Sequence, residues 1–191
     1  MDGRFNLLNP MRLFTGLSIA FATLDNLERL LAELRPLAAL KWSPVGNLHI
    51  TTRFIGEWPE TRLAELEEAL SRVPPVGSFE IKIAALDYYP DSGRPRVLFA
   101  GISRAPALIR LAASIDEALA AIGCARDDRP YSPHLTLARI KNENIDKLRE
   151  RLSNMSKIEF GNFEVTEFHL YLSKTSPNGS VYSKLRTYST C

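Results

Sequence analysis

Asn47-Leu48-His49-Ile50-Thr51-Thr52-Arg53-Phe54 is echoed 85 residues later by Pro133-His134-Leu135-Thr136-Leu137-Ala138-Arg139-Ile140. Both stretches read His, aliphatic, Thr, then apolar residues with an Arg close behind. The β-branched and aliphatic content suits a strand rather than a helix. On a strand, residues two apart share a face. His49 with Thr51, and His134 with Thr136, would each present an imidazole beside a hydroxyl, while Ile50 and Leu135 turn into a core. Two of the three histidines in the chain sit in this arrangement. A plainer reading, two buried strand histidines held by hydrogen bonds, stands beside it.

Outward from these strands, the pattern is mixed. Arg12–Ala20 alternates as a strand, and Leu24, Leu27, Leu30, Leu31 and Leu34 form a helical stripe with Thr23 or Asp25 near the N-cap and Pro36 closing it. A second amphipathic helix is expected over Glu60–Val73, then strands over Phe79–Ala85 and Arg96–Ile102, with turn chemistry at Asp91-Ser92-Gly93. Pro106 opens a third helix that Gly123 stops, and a fourth spans Ile145–Met155. The tail reads as strands near Ile158–Phe163, Val165–Ser173 and Val181–Tyr188, the last two joined by a turn at Pro177-Asn178-Gly179. This order predicts an α+β fold with largely antiparallel sheets and outer helices. The repeated motif suggests two lobes related by a pseudo-twofold, with a central cleft carrying both His-x-Thr strands. Residues 1–10 read as an extension and 11–191 as one bilobal domain.

Composition narrows the setting. With 45% hydrophobic residues the 191-residue chain can bury a proper core unaided by disulfides or metal. A net charge of +2 argues against a broad polyanion-coating surface but leaves room for a local basic cleft. Cys124 and Cys191 match no redox or zinc spacing and read as free thiols. No apolar run has membrane-spanning length and no signal peptide is visible. The expectation is a cytoplasmic protein without a membrane partner.

Two imidazoles, two hydroxyls and nearby guanidiniums, with no evident carboxylate, suit an anionic phosphorus-centred substrate. Histidine's acid and base forms coexist near neutrality, so one ring can accept a proton from water while the other donates to a leaving oxygen. Threonine hydroxyls and an arginine can hold phosphoryl oxygens. A metal site is disfavoured, because neither motif has a neighbouring third ligand. Parity puts Arg53 on the cleft face and turns Arg139 away, unless a bulge re-aims it. Trp42 and Tyr131, just ahead of the motifs, are candidates to stack on a base, with core packing the alternative. His169 lacks a threonine partner and reads as structural.

The chain resembles the two-histidine phosphoesterase superfamily, in its RNA 2′,3′-cyclic phosphodiesterase branch, formerly called 2′-5′ RNA ligase. The resemblance rests on MRLFTGL (11–17), KWSPVGNLHITTRFIGE (41–57), GRPRVLFAGI (93–102), RPYSPHLTLARI (129–140) and SPNGSVYSKL (176–185). It implies a two-lobed α+β fold and metal-independent opening of a terminal 2′,3′-cyclic phosphate to a 2′-phosphate, with no cofactor. It further implies His49 as proton donor to the 3′ oxygen, His134 as the base activating water, Thr51 and Thr136 on the phosphate, and Arg139 on the phosphoryl group. The expected partner is RNA with a cyclic phosphate end, or a small cyclic nucleotide, bound by a monomer. Ser132 departs from the bulkier or more polar residue expected in that block, which bears on substrate preference. A 2′-5′ joining reaction and a non-catalytic RNA-binding module are the alternatives.

Overall fold

The computed structural model describes residues 10–90, 93–103, 105–127, 129–153, 155, 158–176 and 179–191. In chain order these form β1 (Met11–Ser18), α1 (Phe21–Leu34), β2 (Lys41–Trp42), β3 (His49–Trp58), α2 (Leu63–Ser71), β4 (Phe79–Tyr89), β5 (Val97–Ser103), α3 (Pro106–Ala121), β6 (His134–Arg139), α4 (Asp146–Ser153), β7 (Glu159–Val165), β8 (Glu167–Ser176) and β9 (Gly179–Ser189). They build two antiparallel sheets, ordered β3-β1-β8-β9 and β2-β6-β5-β4-β7. Apart from β2, the second order repeats the first: each motif strand lies beside the strand that precedes it by one helix. The α+β expectation matches this architecture.

The two halves are interleaved. Helix α1 follows β1 of the first sheet yet packs on β7 of the second, while α3 follows β5 of the second and packs on β3 of the first. Leu27, Leu31 and Leu34 of α1 are fully buried with Ile81, Ile83, Leu111, Ile115, Leu135 and Leu137 in one continuous core. Each such side chain contributes roughly 1.5–3 kcal/mol of burial. Strand β1 is covered on both sides, Leu13, Thr15 and Leu17 on one and Phe14 on the other.

Three local expectations shift. Helix α1 starts at Phe21 after Ala20, without a side-chain cap, and Thr23 lies buried in its first turn instead of capping it. There it meets Gly161 of β7, where a Cβ would come within 2.8 Å of the threonine hydroxyl. The expected second helix splits into a 3₁₀ turn, Glu60–Arg62, and α2. Strand β4 runs on to Tyr89, past a bulge at Ala85 whose φ is 60°. The bulge reverses the in-out alternation, so the apolar period ends at residue 85 although the strand does not. The tip of the β8–β9 hairpin, Pro177-Asn178, and Asp91-Ser92 fall outside the described residues, as do 1–9 of the expected extension. Among the described residues no helix is long and apolar enough to cross a membrane.

Candidate active site

Both motif strands carry the same irregularity. On β3, Thr51 opposes Gly16 of β1 and Arg53 opposes Thr15, leaving Thr52 as an extra residue. On β6, Thr136 opposes Phe99 of β5 and Ala138 opposes Leu98, leaving Leu137 as the extra residue. The bulge therefore sits three residues after the histidine in each motif. It turns the bulged residue into the core: Leu137 is fully buried, and buried Thr52 shares a 2.7 Å hydrogen bond with Thr15. It also reverses the parity beyond. His134, Thr136 and Arg139 oppose Gly101, Phe99 and Val97, alternate residues of β5, and so share one face. On β3 the equivalent face carries His49, Thr51 and Phe54, not Arg53.

Arg53 is instead a tie. Its Nε donates to Asp116 Oδ1 of α3 at 2.6 Å, one terminal nitrogen donates to the Phe54 carbonyl at 2.7 Å, and the other to the Ala125 carbonyl. Its side chain is only 10% exposed. The bulge is the reason simple strand parity misplaces it: the guanidinium leaves the His49 face for α3. Arg139, exposed at the end of β6, is placed on the histidine face by the same device.

The two imidazoles are oriented alike. His49 Nδ1–H donates to the Asn47 carbonyl at 2.7 Å, and His134 Nδ1–H to the Ser132 carbonyl at 2.9 Å. A carbonyl accepts only, so the proton resides on Nδ1 and Nε2 is left to gain or lose one. Their surroundings differ. His49 sits among Phe14, Tyr182 and Tyr171, with ring centroids at 4.5, 5.0 and 5.9 Å. This burial pushes its pKa below the ordinary histidine value, against the opposing effect of the Asn47 carbonyl. Gly16 makes the arrangement possible, since a Cβ there would lie 2.7 Å from the Ile50 carbonyl oxygen and 3.5 Å from the His49 ring. His134 is exposed, with Phe99 edge-on at 5.7 Å.

A cavity of about 750 Å³ opens on Thr51 and His134 and runs along the free edge of β3 under α3. Phe54, Tyr89 and Ile109, which are 47%, 57% and 47% exposed, are among its walls, with Val97 and Phe99. Exposed apolar side chains gathered at one place mark a binding surface. Tyr131 lines it too, and its hydroxyl donates to the Thr51 carbonyl at 2.8 Å. Trp42 does not: its indole N–H donates to the Ala38 carbonyl at 3.1 Å and its ring packs on the core, so the packing alternative describes it. The third histidine, His169, is buried on β8, donating from Nδ1 to Thr187 Oγ1 at 2.9 Å and accepting from Lys184 at 3.2 Å. Among the described residues no three His, Cys, Asp or Glu side chains gather as a metal-binding group. The sequence reading missed Phe14, Tyr182 and Phe99 around the imidazoles. Their strand alternation was legible, but nothing local linked them to a histidine.

Two antiparallel sheets that each bring a His-x-Thr strand to a shared cavity define a two-histidine phosphoesterase architecture. The chain belongs to the 2′-5′ RNA ligase superfamily, whose family model matches residues 23–176. It is 34% identical over 178 residues to an RNA 2′,3′-cyclic phosphodiesterase of Archaeoglobus fulgidus, covering 93% of this chain and 99% of the relative. It is 31% identical over 182 residues to that of Methanocaldococcus jannaschii, covering 93% and 100%. Among solved structures, TT0787 of Thermus thermophilus superposes with a TM-score of 0.77 at 28% identity, covering 94% of this chain and 98% of that one.

Proposed function

We propose that this enzyme hydrolyses the terminal 2′,3′-cyclic phosphate of RNA to a 2′-phosphate by acid and base catalysis between His49 and His134. The observation that carries the reading is the matched pair of half-sites: same bulge, same Nδ1 anchor, same threonine two residues on. His134 Nε2 takes a proton from water as its oxygen bonds to phosphorus. The P–O3′ bond breaks opposite, and His49 gives its proton to the departing 3′ oxygen. The product carries a 2′-phosphate and a free 3′ hydroxyl. Thr51 and Thr136 donate to the non-bridging oxygens, and Arg139 stabilises the charge that builds on them. Burial works against the protonated form of His49 in the free enzyme, and the negative phosphate restores it on binding.

The terminal nucleoside takes the apolar cavity beside the dyad, its base against Tyr131 and Phe99. Asp116 and Arg53 on that wall are paired with each other, so the cavity accepts any base by its flat face. The free thiols of Cys124 and Cys191 suit a cytoplasmic enzyme.

The test is hydrolysis of a short RNA ending in a 2′,3′-cyclic phosphate, with EDTA present. Wild type should yield the 2′-phosphate, and His49→Ala and His134→Ala should each lose at least about 10²-fold in kcat. A substrate whose 3′ bridging oxygen is sulfur needs no acid, so it should restore turnover to His49→Ala and not to His134→Ala. Rescue of His134→Ala alone would exchange the two roles; turnover abolished by EDTA would overturn the mechanism.

A further inference from the structure

Each motif strand is preceded by a lead-in segment that crosses to the other half of the molecule. The lead into β3 supplies β2, which pairs with β6: Lys41 opposes Arg139 and Trp42 opposes Ala138. One residue on, Ser43 N–H donates to the Leu137 carbonyl at 2.8 Å and its hydroxyl to the Thr136 carbonyl at 3.1 Å. These two carbonyls belong to the bulged part of β6, where the extra residue interrupts the ladder. The lead into β6 does the converse. Tyr131 reaches the free edge of β3 and its hydroxyl donates to the Thr51 carbonyl at 2.8 Å. The same two segments also hold their own histidines, through the Asn47 and Ser132 carbonyls.

We propose that Ser43 and Tyr131 are reciprocal positioning residues, each lead-in orienting its own histidine while its hydroxyl holds the backbone of the opposite motif's threonine. Both accepted carbonyls belong to Thr51 and Thr136, the residues assigned above to the phosphate, so this inference rests on the proposed reaction. Two half-sites on different sheets must grip one phosphate between them, and a displacement of about 1 Å in such a pair can cost about 10²-fold in rate. The crossed hydroxyls set that spacing. Burial raises the Tyr131 phenol, so it keeps its proton and donates throughout the working pH range.

The experiment uses Ser43→Ala, Tyr131→Phe and the double variant, with Ser43→Thr as the conservative control. Tyr131→Phe keeps the ring in place and removes only the hydroxyl. Each single variant should lower kcat about tenfold while KM stays within about twofold, and the double should lose less than the product of the two, because either break frees the same spacing. Ser43→Thr should recover most of the loss. A lowered melting temperature with kcat unchanged would make both bonds merely structural and overturn the proposal. A second readout needs no turnover: the histidine ring signals in NMR. Tyr131→Phe should move those of His49, and Ser43→Ala those of His134, across the cleft from the substituted segment's own histidine. Shifts confined to the near histidine would overturn the crossed arrangement. Should wild type hydrolyse no cyclic-phosphate RNA, the reaction assignment falls while the NMR arm still decides the tie.

Discussion

At the scale of single residues, chemistry of the same type is divided by environment. The two imidazoles share an Nδ1 anchor, but only His49 is enclosed by aromatic rings. Desolvation lowers its pKa, so the acidic limb of the kcat/KM profile should fall below the ordinary histidine value of about 6.5. Removing part of the enclosure in Tyr182→Ala lets water reach the ring, and that limb should move to higher pH. The two arginines separate in the same way. Arg139→Ala should reduce kcat/KM by about tenfold or more with an unchanged melting temperature, since an exposed guanidinium contributes little to folding. Arg53→Ala breaks three bonds and leaves Asp116 without its closer partner, which should cost about 2 kcal/mol of stability in a denaturant titration.

At the scale of elements, the governing feature is the bulge shared by β3 and β6. A regular strand could place a histidine and a threonine on one face, but an arginine five residues on would point into the core. One inserted residue brings Arg139 back to the face of His134 and sends Arg53 to α3. No local signal in Leu137-Ala138 or Thr52-Arg53 announces it, because a bulge is defined by what the neighbouring strand pairs with. Strand β1 contributes by a missing side chain. Gly16→Ala would force a methyl against the Ile50 carbonyl, so it should destabilise the fold by about 1–3 kcal/mol and lower kcat by shifting His49. Unfolding and kinetics on the same preparation would read both effects.

At the scale of the whole molecule, the interleaving of two similar halves makes stability and activity share residues. Half-buried His49 and buried His169 are both held toward the neutral form, His49 by desolvation against its Asn47 bond and His169 by burial and then Lys184, against Glu167. The unfolded chain binds those protons more readily, so the folded state loses stability as pH falls below about 6.5. The melting temperature should therefore drop between pH 7.5 and 5, and His169→Gln, with Thr187 still available as partner, should flatten part of that slope. Much of the candidate site was legible from residue types alone: His-x-Thr twice, at strand spacing, is local chemistry on a local period. The apolar stripes of α1, α2 and α3, and with them the α+β class, follow equally from side-chain periodicity. The aromatic enclosure of His49, the tie of Arg53 to Asp116 and the crossed hydroxyls of Ser43 and Tyr131 join residues from 35 to 133 positions apart (His49 and Phe14 at one extreme, His49 and Tyr182 at the other). Such contacts exist only once two sheets pair and pack, because register and inter-sheet distance are collective properties of the folded chain. Sequence determined which imidazoles, hydroxyls and guanidiniums this protein has to offer; tertiary structure decided how they are held and which arginine stands with the histidines.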